Sequence, residues 1–192
     1  MANYVLVHGA WHTGELLENT AQPIRSAGHK VHLPTIAGNN PGDSKSVGLE
    51  EAIKSIVDYI NNNNISDVIL LGHSYGGMII TGVADKIPDS IQRLIYWNAF
   101  VPNNGESLND MIPPMYVGLF EQLEKSDGSV ELPFPIWREA FINDADEALA
   151  KEAYGKLNPH PNKTFKDAIS ISKNPAEMEI SKSYINFTEE TS

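Results

Sequence analysis

The sequence predicts an α/β fold: a doubly wound, mostly parallel sheet with a helical lid. Two observations predict it. Short runs of strand character alternate with segments of helical periodicity through the first hundred residues. A proline-rich insertion then separates the last strand from the others. Because strands that alternate with helices form parallel βαβ units, these elements belong to one sheet.

Five apolar runs carry the strand prediction. They are rich in Val, Ile and Leu and read as continuous rather than alternating, which is typical of strands covered on both faces. They are Tyr4–His8, Lys30–Leu33, Asp67–Leu71, Arg93–Trp97 and Ser183–Phe187. Helical periodicity lies between them. One apolar stripe runs from Leu49 to Ile60, and a second begins at Met78 and ends before Pro88.

Residues 102–181 interrupt this alternation. Eight of the 12 prolines lie between Pro102 and Pro175, with helical patches such as Ile136–Leu157 and no convincing strand. An insertion of this kind between two parallel strands predicts a lid over the site. The predicted organisation is therefore a first part of the core (1–101), a lid (102–181), and a core strand with an acid loop (182–192).

Composition excludes several classes of function. The net charge of −11 argues against nucleic acid or an anionic membrane as a partner, since both require basic patches. With no cysteine, the chain has no disulfide, no thiolate zinc site and no Cys nucleophile. The N-terminal residues show no basic segment followed by a long apolar stretch, so we expect a cytoplasmic protein without a signal peptide or membrane span.

The strongest chemical signal is the Gly-x-Ser-x-Gly pentapeptide Gly72–Gly76. An apolar strand precedes it and a helix follows it, which is the context of a nucleophile elbow. In such a sharp turn the serine backbone is strained, and only glycine fits close to it. We therefore predict that Ser74 is a nucleophile and that the N–H of Tyr75 points to the developing oxyanion.

A second signal follows the first strand, where His8 and Gly9 open a loop. Sheets of this type place the second oxyanion donor there, which predicts the N–H of Ala10. We also expect Gly9, Trp11 and Trp137 to contact the substrate. The aromatic spacing around Trp137 fits helix packing equally well.

These residues resemble the α/β-hydrolases, and most closely the branch of plant methyl-salicylate esterases, hydroxynitrile lyases and related bacterial esterases. The resemblance rests on Val-Leu-Val-His-Gly-Ala-Trp-His, Ala-Gly-His-Lys-Val and Gly-His-Ser-Tyr-Gly-Gly-Met. It continues through Ala99–Pro102, Phe141–Asp144, Leu157–Pro161 and Tyr184–Glu190. It implies a triad of serine, acid and histidine, with no cofactor and no metal.

Two departures from the family stand out. The family usually has Asp in the loop after the Tyr184 strand, where this sequence has Glu190; Glu can take the same role. Glu190 also fits a solvated carboxylate near the end of the sequence. The family histidine lies after the acid, and no residue stands there. We expect neither His12 nor His160 to fill the role in the triad geometry.

Two explanations of the missing histidine stay open. The sequence is a fragment of a protein of roughly 230–240 residues, judged from the missing last strand and helices of the doubly wound pattern, or it is a natural truncation. We favour the fragment, because ending on a strand leaves apolar surface uncovered.

The function predicted for the intact protein is hydrolysis of a small-molecule ester through an acyl-enzyme. The same fold also supports lyase chemistry and cofactor-free oxygenation. Lyase relatives carry Thr beside the loop histidine, where this sequence has Gly9, which favours the esterase. A third alternative is a non-catalytic protein that binds a small molecule in the lid pocket. The identity of the ester and the oligomeric state are not predicted.

Overall fold

The computed structural model describes residues 1–187, which contain a five-stranded sheet, flanking helices and a helical insertion. The strands are β1 (Asn3–Val7), β2 (Lys30–His32), β3 (Val68–His73), β4 (Ile91–Trp97), β5 (Ser129–Val130), β6 (His160–Pro161) and β7 (Ser181–Ile185). The main sheet has the order β2-β1-β3-β4-β7, and its four pairings are all parallel. The predicted fold class is confirmed.

Eight α-helices lie within residues 1–187. They are α1 (Glu18–Ser26), α2 (Leu49–Asn62), α3 (Gly76–Lys86), α4 (Leu108–Met111), α5 (Pro114–Leu123), α6 (Phe134–Phe141), α7 (Glu147–Tyr154) and α8 (Lys163–Lys166). The predicted apolar stripe of α2 is buried, with Leu49, Ile53, Ile56 and Ile60 at most 2% exposed. No helix of this part of the chain is long and apolar enough to cross a membrane. Where in the cell the protein resides stays a prediction.

Successive residues of the strands face two separate apolar clusters. Val5 and Leu70 belong to the larger cluster, which also contains the buried side chains of α2, α3 and the segment after β4. Leu6 and Leu71 point to the other face, where they pack with Leu17 just before α1. Both faces are covered, as the continuous apolar runs predicted, and the larger core lies on the side of α2 and α3.

Residues 102–180, within the segment between β4 and β7, form what is called the insertion below. It holds α4 to α8, and it also holds β5 and β6, which pair antiparallel. The expectation that it contains no strand was wrong, because two-residue strands leave no periodic signal in the sequence. The helical patch Ile136–Leu157 is two helices, since the Asp146 side chain accepts from the Leu149 N–H (2.8 Å) and starts α7 there. The domain boundaries and the lid role stay predictions.

Candidate active site

Ser74 lies between β3 and α3 with a φ of 53°, in the left-handed region. A non-glycine residue in that region costs about 1–3 kcal/mol unless the surrounding structure enforces it. Three backbone hydrogen bonds enforce it here. The Ser74 N–H donates to Trp97 O (3.3 Å), and Ser74 O accepts from the N–H groups of Gly77 (3.0 Å) and Phe100 (3.2 Å). The predicted sharp strand-to-helix turn is present.

Neighbouring backbone packs so closely against the glycines around Ser74 that no side chain would fit at these positions. A Cβ on Gly77 would stand 2.0 Å from Phe100 O, and one on Gly76 would stand 2.7 Å from Val7 O. A Cβ on Gly72 would stand 2.6 Å from Gly76 O. Because the clashing atoms are backbone, they cannot move aside without shifting the end of β1, the start of α3 or the segment after β4. The close approach brings the end of β1 directly against the turn that carries Ser74.

The loop after β1, residues 8–12, is called the His8–His12 loop below. A Cβ on Gly9 would lie 3.2 Å from Ser74 Cβ, so Gly9 is in contact distance of the Ser74 side chain. The neighbouring His8 is completely buried. Its Nε2 accepts from the Ile36 N–H (3.0 Å), and its Nδ1 therefore carries the proton and donates to Gly9 O (2.8 Å). The only sequence signal for this role of the His8 side chain is its place beside Gly9.

The bond from His8 to Gly9 O fixes the orientation of the next N–H. In a trans peptide the C=O and the following N–H point in opposite directions. Holding Gly9 O towards His8 therefore turns the Ala10 N–H to the other side of the chain. Within residues 1–187, neither the Ala10 N–H nor the Tyr75 N–H donates a hydrogen bond, although both residues are buried. Buried N–H groups without a partner are rare, so both are available to a ligand.

The histidines near this turn are uncharged at neutral pH. Burial lowers the pKa of His8 to about 3 and that of His73 to about 4. Burial also lowers the pKa of His12, whose Nδ1 lies 2.7 Å from Ala10 O. These three histidines therefore place no positive charge beside the serine turn at neutral pH.

None of the six histidines, all of which lie in the described part of the chain, hydrogen-bonds the Ser74 hydroxyl. His160 uses both ring nitrogens in other hydrogen bonds, so it is not available as a base. Glu190 lies outside the described residues. The structure therefore brings together Ser74, Gly9, Ala10 and Tyr75 from the predicted site.

Trp11 and Trp137, predicted to contact substrate, are 6% and 3% exposed. Both line a cavity of about 210 Å³ with Leu132, Tyr154 and Leu157. A larger groove of about 690 Å³ lies between α5 and α6. Ser74 lines neither space. Substrate contact by the two tryptophans stays a prediction, because both also pack as core residues.

Residues 4–175 match the alpha/beta hydrolase family. The chain belongs to this family. The resemblance on the serine and His-Gly motifs is thereby confirmed. The structure is similar to that of an extracellular alpha/beta-hydrolase from a Paenibacillus species, with a TM-score of 0.91 and 36% sequence identity. The match covers 96% of this chain and 76% of that chain. The Paenibacillus protein is described as sharing structural and functional homology with tobacco salicylic acid binding protein 2.

Curated relatives fall in the predicted branch. A carbendazim hydrolyzing esterase of Nocardioides sp. (strain SG-4G) is 48% identical over 116 residues, which is 59% of this chain and 48% of that protein. An alpha-hydroxynitrile lyase of Arabidopsis thaliana is 32% identical over 105 residues, 53% of this chain and 41% of that protein. The chain thus spans half or less of the length of these curated relatives.

Proposed function

We propose that the protein is a carboxylesterase that acts on a small-molecule ester, with Ser74 as the nucleophile. The observation that carries this proposal is the turn that holds Ser74 at a φ of 53° in contact distance of Gly9. The N–H groups of Ala10 and Tyr75, which follow Gly9 and Ser74 in the chain, donate no hydrogen bond within residues 1–187. Membership of the alpha/beta hydrolase family and a relative named as an esterase support it.

In the proposed reaction the Ser74 Oγ attacks the carbonyl carbon of the ester and loses its proton to a base. The carbonyl oxygen becomes an oxyanion, which the Ala10 and Tyr75 N–H groups stabilise by about 2.7–4 kcal/mol each. Collapse of the intermediate expels the alcohol, which takes up the proton, and water then hydrolyses the acyl-enzyme. The base is the histidine that the resemblance implies, and Glu190 is the acid that orients it.

The substrate class follows from the proposed site and its relatives. The carbendazim hydrolyzing esterase of Nocardioides supports an ester substrate, and we expect Gly9, Trp11 and Trp137 to contact it. We propose that the insertion acts as a lid over this region and that no cofactor takes part. The cytoplasmic location stays a prediction, and the Paenibacillus neighbour is described as extracellular.

The test is hydrolysis of an aryl ester such as p-nitrophenyl acetate by the full-length protein. Ser74→Ala should lower kcat/KM by at least about 1,000-fold, because the nucleophile is lost. Ser126→Ala, at an exposed serine in the insertion, is the matched control and should keep the wild-type rate. Wild-type turnover by Ser74→Ala would show that the proposal is wrong.

The Arabidopsis relative favours a second candidate, cleavage of a cyanohydrin on the same site. Release of cyanide from a cyanohydrin, without ester turnover, would replace the esterase with this lyase. A non-catalytic binder predicts a different result: a ligand-induced thermal shift that survives Ser74→Ala, with no turnover of either substrate.

A further inference from the structure

Trp11, the residue after Ala10, is bound to the insertion by three hydrogen bonds. Its N–H donates to His160 Nδ1 (3.4 Å), its carbonyl accepts from the Asn158 N–H (2.8 Å), and its indole N–H donates to Val130 O (2.9 Å). The φ of Trp11 is 64°, which a bulky residue adopts only when its surroundings enforce it. The conformation of the His8–His12 loop therefore depends on the insertion.

His160 has a single defined tautomer in this network. Its Nδ1 accepts from the Trp11 N–H and from the Asn39 side-chain amide (3.1 Å). Its Nε2 therefore carries the proton and donates to Thr164 Oγ1 (2.9 Å), which itself donates to Pro161 O (2.9 Å). The side chain is completely buried, and burial lowers its pKa well below the usual value. The ring stays neutral and keeps its acceptor.

The same ring touches the residue that carries the other unpaired N–H. His160 stacks on Phe165, with ring centroids 4.5 Å apart and an interplanar angle of 17°. It meets the Tyr75 ring edge-on at 4.9 Å. His160 thus contacts Tyr75 directly and is hydrogen-bonded to the residue that follows Ala10. Because both of its ring nitrogens form hydrogen bonds, His160 does not act as the base that activates Ser74.

We propose that His160 is a positioning residue for the oxyanion site. It fixes the orientation of the Ala10 N–H through its hydrogen bond to Trp11, and that of the Tyr75 N–H through its contact with the Tyr75 ring. This inference rests on the proposed function, because it deepens the role of the same two N–H groups. His160 does not touch the reacting atoms. It orients the peptide next to Ala10 by accepting the Trp11 N–H, and it limits movement of Tyr75 by ring contact.

Two substitutions at His160 separate hydrogen bonding from packing. His160→Phe keeps a ring against Phe165 and Tyr75 and removes the acceptor. His160→Asn places a side-chain oxygen near the position of Nδ1 and restores an acceptor. The control is Asp167→Ala. Asp167 is another link from the insertion to the core, and its carboxylate accepts from the Leu49 N–H (3.0 Å) and pairs with Lys163.

In the full-length protein, His160→Phe should lower kcat for p-nitrophenyl acetate by about 10- to 100-fold, because a displaced oxyanion donor acts only on the transition state. KM should stay within about twofold of wild type. His160→Asn should recover most of the lost kcat. Asp167→Ala should lower the thermal midpoint and leave kcat near wild type. Equal losses of kcat in His160→Phe and Asp167→Ala would overturn the proposal, since both would then report only stability.

Amide hydrogen exchange gives a readout that does not require turnover. His160→Phe should speed exchange at the Trp11 amide, which loses its acceptor, and at the Asn158 amide, which donates to Trp11 O, and Asp167→Ala should leave both at the wild-type rate. Unchanged exchange in His160→Phe would overturn the positioning role. If the wild-type protein shows no Ser74-dependent turnover, the proposed esterase function fails, and the exchange rates still decide whether His160 holds the loop.

Discussion

Ser74 and Trp11 share a rare backbone conformation, with φ values of 53° and 64°. What holds them differs. Ser74 is held by backbone groups of Gly77 in α3, Trp97 in β4 and Phe100 just after β4. Trp11 is held by Val130, Asn158 and His160, which lie more than a hundred residues away in the insertion.

The serine turn and the His8–His12 loop, which together form the proposed site, are therefore stabilised by contacts with different parts of the chain. The turn that carries Ser74 is enforced by glycines at which a side chain would strike backbone. The His8–His12 loop is held at Trp11 by the His160 side chain, the Val130 carbonyl and the Asn158 N–H of the insertion. A change in the insertion should therefore alter the backbone of the loop more than that of Ser74, and it reaches the serine turn through the ring contact between His160 and Tyr75. The following predictions test this division, from the largest expected effect to the smallest.

Trp11→Gly should lower the free energy of unfolding by about 3–5 kcal/mol, the usual cost of removing a buried aromatic ring. Glycine accepts a positive φ without strain, but the ring contacts with Phe120 (5.8 Å), Phe141 (5.8 Å) and Phe165 (5.7 Å) are lost. Denaturant unfolding measures the change. A stabilised variant would mean that strain, and not packing, dominates at Trp11.

Gly77→Ala should lower the free energy of unfolding by about 3 kcal/mol, because its Cβ would stand 2.0 Å from Phe100 O. Gly118→Ala is the matched control. It also lies in a helix, and its Cβ would meet nothing within 4 Å. That variant should gain about 0.5–1 kcal/mol from helix propensity. Similar effects of the two changes would refute the steric account of the serine turn.

Acid should weaken the support of the His8–His12 loop. The folded pKa of His8, about 3, lies below its unfolded value of 6.5, so the folded state binds fewer protons between these values. The stability that neutral His8 contributes is present above pH 6.5 and is lost as the pH falls towards 3. The expected slope is about 1.4 kcal/mol per pH unit for this group. Urea titrations of wild type and His8→Gln measure it, and an unchanged slope in the variant would contradict the assignment.

Ser74→Gly should be more stable than Ser74→Ala by about 1 kcal/mol, because only glycine adopts the positive φ without cost. Both variants lack the hydroxyl, so the difference between their stabilities measures the cost of the positive φ at position 74. Thermal unfolding of the two proteins measures the difference. Equal stabilities would mean that the turn relaxes when the serine is replaced, and that the strain belongs to Ser74 itself.

The parts of the fold and site that the sequence predicted are those with a local pattern. Continuous apolar runs predict the strands of the main sheet, helical periodicity predicts α2, and Gly72 to Gly77 predict the serine turn, because each signal lies within a short continuous segment. The loop at His8 and Gly9 is predicted for the same reason, since both residues directly follow an apolar run. Glu190 has not been tested, since it lies outside the described residues.

The parts that the sequence did not predict depend on pairs far apart in the chain. The link from Trp11 to His160 joins residues 149 positions apart, and no spacing rule connects them. The pairing of β5 with β6 is too short to leave a pattern. His160 stands out in the sequence only as a candidate base, because sequence alone does not show that its ring is buried and that both of its nitrogens form hydrogen bonds.

The most direct test of the central claim is to label the full-length protein with a fluorophosphonate and map the modified residue by peptide mass spectrometry. Such a reagent forms a stable tetrahedral adduct with an activated serine, with the phosphonyl oxygen in the place of the oxyanion. We expect a single adduct on Ser74 that is lost in Ser74→Ala and blocks ester hydrolysis. An adduct on another residue, or hydrolysis that continues with Ser74 modified, would contradict the assignment of Ser74 as the nucleophile.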